Sequence, residues 1–496
     1  MSATHYLAVD LGAESGRVML GTLARDRLSL EEIHRFPNRV QTIQEHLHWD
    51  LAHLEKEIFS GLEKGAQRGT PVSGISADSW GVDYVLLEAK GQVLAQPYCY
   101  RDARTNESPA RLFKKLPFAA IYAETGIQFM AINTLFQLEA ERHDHAPGLA
   151  RADHFLNIAD YFNARFSGVE AAEQSLASTT QLYNPKTQTW SEKLISALDL
   201  PKSLFPRIVP GGTVLGPVTG GLKLRPGLAR AQVIATCSHD TGAAVAAVPA
   251  TGQTNWAYLS SGTWSLLGLE LPQPLITDAA REAGFTNEVG LGGTVRFLKN
   301  IAGLWVLQEC RRAWETAGAS FDYEELTRLA VENGPASSHL SLADPRFLSP
   351  GDMPKKIAAF CRETGQPAPA SPGQFVRVIL ESLALTYAQT LRQLETLTGH
   401  EIETLHIVGG GGRNDLLNQL TADATQTTVV AGPVEATAIG NILIQALALG
   451  HVESAGHLRR IVEDSFPTKT FTPGPGLSDD VRLRFQKLES STPGKT

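Results

Sequence analysis

Asp10 ends a short apolar run, Tyr6 to Val9, and leads at once into Gly12-Ala13-Glu14-Ser15-Gly16-Arg17. A carboxylate at a strand end beside a glycine turn can hold Mg2+ next to phosphates, because that cation keeps most of its waters and takes one or two carboxylates. The same residue type also caps turns. Ser238-His239-Asp240-Thr241 follows a second buried run, Val233-Ile234-Ala235, and runs into Gly242-Ala243-Ala244. There Asp240 is either a proton acceptor or a helix N-cap, and His239 either a site residue or a satisfied core histidine. Ser76-Ala77-Asp78-Ser79-Trp80-Gly81-Val82-Asp83 mixes carboxylates with an indole. Such a mix receives sugar hydroxyls and packs on sugar C–H faces, or else buries a tryptophan over capped turns. Tyr100-Arg101-Asp102-Ala103-Arg104 repeats the mix, with surface ion pairing as its alternative.

Glycine turns flanked by Ser and Thr suit phosphate, since backbone N–H groups approach its oxygens most easily where no Cβ intervenes. Three such turns stand out. The first is Gly12 to Arg17, the second Ser260-Ser261-Gly262-Thr263-Trp264-Ser265, and the third Gly409 to Gly412. The first two share a strand, glycine turn, strand pattern about half a chain apart, with Gly12 matching Gly262 and Ser15 matching Ser265. That predicts two related domains divided near Val248 to Gly252. The third turn follows the apolar run Leu405 to Val408 and precedes a helix from about Asn414. It lacks a dinucleotide fingerprint because Asn414 and Asp415 stand where a third glycine would be, and no GxxxxGK[ST] loop or protein-kinase HRD or DFG motif occurs.

The elements that must position these groups alternate strands and helices. Ser371-Pro372-Gly373-Gln374 predicts a helix start, with a serine cap, a proline in the first turn and a glutamine three residues on. Phe375, Ile379, Leu383, Tyr387, Leu391 and Leu394 then give one apolar face until Gly399. A chain of 496 residues, 43% hydrophobic and 19% charged, is globular, with room for about three domains or two large ones. Its 44 basic and 52 acidic side chains leave a net charge of −8, which argues against nucleic acid as a partner. Cys99, Cys237, Cys310 and Cys361 form no CxxC pair, which fits a reducing compartment. The N-terminus lacks a signal-peptide pattern, and the apolar stretch Ala438 to Leu449 is interrupted by Asn441 and Gln445. A cytoplasmic protein with no membrane partner is expected.

Taken together, DLGAESGR at 10–17, SADSWGVDYVLL at 76–87, YRDARTN at 100–106, SHDT at 238–241, YLSSGTWSLLG at 258–268, and GGGG at 409–412 with Gln419-x-x-Ala422-Asp423 resemble the FGGY family of carbohydrate kinases. The blocks follow the family's order over nearly the whole chain. The resemblance implies an α/β fold of two actin-like, ribonuclease H-like domains with an ATP and sugar cleft between them, at 1–248 and 249–488, followed by a polar tail at 489–496. It implies that Ala13, Glu14, Ser15, Gly16, Arg17 and Thr263 contact the ATP phosphates, that Gln308 and Gly410 lie along the nucleotide, and that Asp10 holds Mg2+. Gly81, His239, Asp240, Thr241 and Asn300 would line a ketose site with Trp80 and Asp83 nearby, and Asp240 would be the catalytic base. Glu14 departs from the small hydroxyl residue common in relatives and sets a negative charge beside a phosphate loop.

The blocks His48-Trp49-Asp50-Leu51, GIQF at 126–129 and LKN at 298–300 are most similar to the branch of the family acting on L-rhamnulose. They imply γ-phosphoryl transfer from ATP to its 1-hydroxyl, giving L-rhamnulose 1-phosphate in L-rhamnose catabolism. Kinases of L-fuculose or D-xylulose are the alternatives within the family. A non-catalytic actin-like sensor would keep the hairpins and lose the base, whereas Asp240 is present and no DNA-binding segment is expected before Tyr6. Oligomeric state is left open.

Overall fold

Apolar side chains on both faces of a strand suit the middle of a parallel sheet, and Tyr6, Leu7, Ala8 and Val9 are all fully buried. In the computed structural model, which describes residues 3–68 and 70–491, they lie in strand Thr4–Leu11. That strand pairs antiparallel with Ser15–Ala24 through a tight turn and parallel with Val72–Ser79. Val72–Ser79 pairs parallel with Gln232–Ala235, which pairs antiparallel with Thr213–Pro217, and Arg27–Pro37 closes the opposite edge. Crossovers between parallel strands need helices. Leu51–Ala66 begins one of them, its start fixed by Asp50, whose side chain accepts from the His53 N–H at 3.0 Å.

Two compact units divide the chain, and they interleave along the sequence. The first contains 1–251, 270–297 and 436–466; the second contains 252–269, 298–435 and 467–496. The sheet of the second unit repeats the pairing pattern of the first. Trp264–Leu271 is antiparallel to Trp256–Ser261, which is parallel to Thr404–Val408, itself parallel to Thr428–Ala431, and Lys469–Phe471 closes antiparallel. The expected repeat is therefore present in the sheets. The two turns differ by one residue: Gly12 N–H donates to the Ser15 carbonyl, Gly262 N–H to that of Trp264, both at 2.9 Å. The predicted long helix runs over Pro372–Thr398, with Ser371 accepting from the Gln374 N–H and Gly399 left-handed at its end. At the C-terminus, Glu489 to Ser491 complete helix Asp479–Ser491, and the rest of the expected tail lies outside the described residues.

Helix Ala436–Ala448 packs in the first unit although it comes late in the sequence. Its polar interruptions are structural ties. Gln445 Nε2 donates to the Leu7 carbonyl at 3.0 Å and to Asn441 Oδ1 at 2.7 Å, while Asn441 Nδ2 donates to Asp78 Oδ2 at 2.6 Å. Among the described residues no helix is long and apolar enough to cross a membrane.

The buried centre of the first unit is organised around Asp83. Its Oδ2 accepts from the indoles of Trp49 at 2.6 Å and Trp80 at 2.9 Å and from the Tyr100 N–H at 3.2 Å; Oδ1 accepts from Gln137 Nε2 at 2.9 Å. Trp80 and Asp83 are thus turned into the core and bonded to each other. Arg104 is likewise no surface residue: its side chain is 3% exposed, lies 3.9 Å over the Tyr98 ring and donates to Gln137 Oε1 at 2.9 Å.

Two predictions follow from this packing. A Cβ on Gly440 would stand 1.9 Å from the carbonyl oxygen of Ala243 in helix Asp240–Ala246. Gly440→Ala should therefore force the helices apart and lower urea stability by about 1–3 kcal/mol; an unchanged midpoint would contradict this close approach. Burial raises the Asp83 carboxyl from 3.8 to about 6, with its hydrogen bonds opposing. A folded-state value above the unfolded one favours folding fully below about pH 4, and that contribution is lost as pH rises through about 6. Asp83→Asn removes this titration, so its stability relative to wild type, followed by tryptophan fluorescence in urea, should improve by up to ~3 kcal/mol from about pH 4 to about pH 7. A difference independent of pH would show that another group titrates.

Candidate active site

Parallel strands bring their C-terminal ends to one edge of a sheet, where α/β proteins place ligands. In the first unit this edge carries Asp10 opposite Asp78 in register, and Ser79 bridged to His239. Like charges so close must be compensated. Arg17, paired with Asp10 across the hairpin, donates from Nε at 2.9 Å and Nη2 at 2.7 Å to Asp10 Oδ2. Asp10 is thus an ion-pair partner and does not cap the turn, which Asn38 braces by donating from its N–H and Nδ2 to the carbonyls of Glu14 and Gly12, each at 3.0 Å. Glu14 is exposed at the tip. Asp78 is fully buried, and its Oδ1 has no partner. Burial first, then the charge of Asp10, raises its carboxyl well above the usual range, against the bond from Asn441.

The loop that carries His239 and Asp240 is fixed from beneath. Glu173 accepts from the Ser238 N–H at 2.9 Å and from the Ser175 hydroxyl, and Ser175 Oγ accepts from the His239 N–H at 3.0 Å. Helix Asp240–Ala246 begins one residue earlier than a capping Asp240 would require: His239 is the N-cap, with no side-chain cap bond. Asp240 Oδ1 instead accepts from Thr241, at 2.5 Å from the N–H and 3.2 Å from Oγ1, and lies 3.4 Å from His239 Nε2. Its side chain keeps 29% exposure. Burial raises its carboxyl, the neighbouring His239 opposes, and the Asp10 charge adds to the rise.

Behind His239 lies a buried ion pair that sequence reasoning missed. Arg296, 0% exposed, places Nη2 3.0 Å from Glu288 Oε2 and 3.1 Å from His239 Nδ1, and donates from Nε to the Val289 carbonyl at 3.2 Å. Burial raises Glu288, but Arg296 and His239 together outweigh it and hold the carboxyl below its ordinary range. Gly81 sits on Thr179, where a Cβ would come within 2.7 Å of Oγ1. The next residue, Val82, has φ +68°, a strained value for a β-branched residue. Thr179 Oγ1 accepts its N–H at 3.2 Å, and its carbonyl accepts from Thr134 Oγ1 at 2.6 Å.

The second unit holds Thr263, Asn300, Gln308 and Gly410. Helix Trp305–Thr316 starts against the second hairpin: the Leu304 and Trp305 N–H groups donate to the carbonyls of Gly262 at 3.0 Å and Thr263 at 3.1 Å. Gln308 Oε1 on that helix is buried without a partner. The glycine run turns after strand Thr404–Val408 into helix Asp415–Thr425, with Asn414 as its N-cap. Gly411 packs on this hairpin, since a Cβ there would stand 2.0 Å from Ser261 Oγ, whereas Gly410 has open space around it.

Among the described residues no three His, Cys, Asp or Glu side chains form a set that could hold a metal ion alone. The hard oxygen donors Asp10, Asp78 and Asp240, with one buried Asp78 oxygen unpartnered, fit Mg2+ held through one or two carboxylates plus water.

With this geometry established, the chain can be compared with known proteins. The FGGY family of carbohydrate kinases matches twice, its N-terminal domain over residues 5–247 and its C-terminal domain over 257–449. The chain is 45% identical over 469 residues to a rhamnulokinase of Bacteroides thetaiotaomicron, covering 95% of this chain and 96% of that one. It is 41% identical over 468 residues to a rhamnulokinase of Bacillus subtilis, with 94% and 95% covered. Crystal structures of gluconate kinase from Lactobacillus acidophilus and of Plasmodium falciparum glycerol kinase with ADP are each similar at a TM-score of 0.77. They cover 99% of this chain and 96% and 98% of theirs, at 16% and 15% identity, and so speak for the fold alone. The two α/β units have the expected actin-like architecture, and the chain belongs to the FGGY family of carbohydrate kinases.

Proposed function

We propose that this chain transfers the γ-phosphoryl group of ATP to the 1-hydroxyl of L-rhamnulose. The observation that carries the chemistry is Asp240, a partly exposed carboxylate raised by burial and anchored through Oδ1 by Thr241. The substrate rests on rhamnulokinases 40–45% identical over nearly the whole chain.

Phosphoryl transfer is largely dissociative, so the nucleophile loses its proton late. Asp240 therefore orients the 1-hydroxyl first and accepts its proton second. Gly81, His239, Thr241 and Asn300 are assigned to the sugar; Trp80 and Asp83 support the Gly81 turn from the core. Ala13, Glu14, Ser15, Gly16, Arg17 and Thr263 are assigned to the ATP phosphates, with Gln308 and Gly410 along the nucleotide. Exposure of Glu14 lets its charge point away from that anion. Mg2+, held by Asp10, would neutralise charge developing on the phosphoryl oxygens.

Asp240→Asn should lower kcat by about two to four orders of magnitude with little change in ATP affinity; near-normal kcat would remove Asp240 as base. A site that pairs each sugar hydroxyl penalises a misplaced one by roughly 1–3 kcal/mol per unsatisfied partner. In an ADP-release assay L-rhamnulose should exceed L-fuculose and D-xylulose by at least about tenfold in kcat/KM. Equal or better turnover of either competitor would move the substrate assignment to that sugar.

A further inference from the structure

The contact between Arg296 and His239 constrains where the imidazole proton sits. Arg296 Nη2 lies within hydrogen-bond distance of His239 Nδ1, at 3.1 Å. A guanidinium has only donors and stays protonated in proteins. The bond therefore exists only if Nδ1 offers its lone pair, which leaves the ring proton on Nε2. Glu288 Oε2 is also 3.2 Å from Nδ1 and would favour the opposite tautomer, but it lacks hydrogen-bond geometry there, and its charge is balanced by Arg296 Nη2 at 3.0 Å.

We infer that Arg296 is a positioning residue that fixes His239 as the Nε2–H tautomer, so that this N–H faces Asp240 Oδ1. Nε2 lies 3.4 Å from that oxygen, an electrostatic contact, while the Thr241 N–H and hydroxyl make the hydrogen bonds to it. The two Thr241 donors on Oδ1 leave proton transfer to Oδ2, which takes no part in these bonds. Arg296 and Glu288 balance each other's charge, so the tautomer is selected without a net charge behind the ring. The groups facing the imidazole are Arg296 and Glu288 on one side and Asp240 on the other, with Ser175 on its backbone N–H. The inference rests on Asp240 as the base of the proposed reaction, but the tautomer itself can be read without substrate.

The full-length protein labelled with 15N at its histidine rings should show, in a long-range 1H–15N spectrum, an unprotonated Nδ1 and a protonated Nε2 for His239. His239→Asn identifies the signal by its loss. Arg296→Met removes the donor and leaves Glu288 facing Nδ1, so the proton should move to Nδ1 while kcat falls by about ten- to a thousandfold and the KM for ATP holds. Arg296→Lys keeps a donor and should restore part of kcat. A wild-type proton on Nδ1, or an Arg296→Met spectrum matching wild type, would overturn the inference. The wild-type spectrum decides even if Arg296→Met fails to fold. The expected tautomer in a protein that phosphorylates no ketose would sustain the inference and reject the proposed substrate.

Discussion

Carboxylates brought together out of water repel one another, and their solvation is lost as well. Asp10 and Asp78 meet this constraint in register on neighbouring strands, and the charge of Asp240 reaches both. The first unit answers with three different partners. Arg17 neutralises Asp10 from the hairpin's second strand, where the antiparallel register sets it opposite. Asn441 gives Asp78 a neutral donor, and Thr241 holds Asp240 from within its own helix turn. A lysine at 441 would discharge the cluster, whereas an amide orients one oxygen and preserves the negative field that a divalent cation needs.

That solution has a topological cost. Asn441 is 363 residues from Asp78 in sequence, and its helix also ties the central strand through Gln445 and the Leu7 carbonyl. The first sheet therefore keeps its full set of buried bonds only when a late segment of the chain has packed on it. Gly440 is what permits the approach, since helix Ala436–Ala448 meets helix Asp240–Ala246 backbone to backbone there. Contacts of such sequence separation are slow to form. The element bearing Asp240 and the element ordering Asp78 thus depend on one packing event.

Much of this architecture was legible in local sequence. Both hairpins, the capped helix at Ser371 and the strand before Gly409 carry their own signals of apolar runs, glycine turns and caps. Asp10, His239 and Asp240 were also readable as polar residues ending buried runs. What the sequence hid was pairing at a distance. Asn441 and Gln445 read only as interruptions of an apolar stretch, although two amides on one face of a buried helix signal partners elsewhere. Arg296 and Glu288 lie in strand-like runs with nothing local to mark them as partners of His239. Trp80 and Asp83 stay open to two readings in sequence, because an indole next to a carboxylate suits a sugar equally well as it suits the buried bond they make with each other.

The duplicated sheets show how one frame acquires two chemistries. Register aligns Asp10 with Ser260, so the first hairpin carries a carboxylate where the second carries a hydroxyl. The first tip has one more residue in its turn and a cross-strand arginine; the second docks its Gly262 and Thr263 carbonyls on a helix start and packs Ser261 against Gly411. Negative charge is therefore concentrated at the strand ends of the first unit, while small polar groups and open backbone at Gly410 mark the second. Phosphoryl transfer needs both kinds of surface, a base and cation held by carboxylates and a phosphate chain received by backbone and hydroxyl donors.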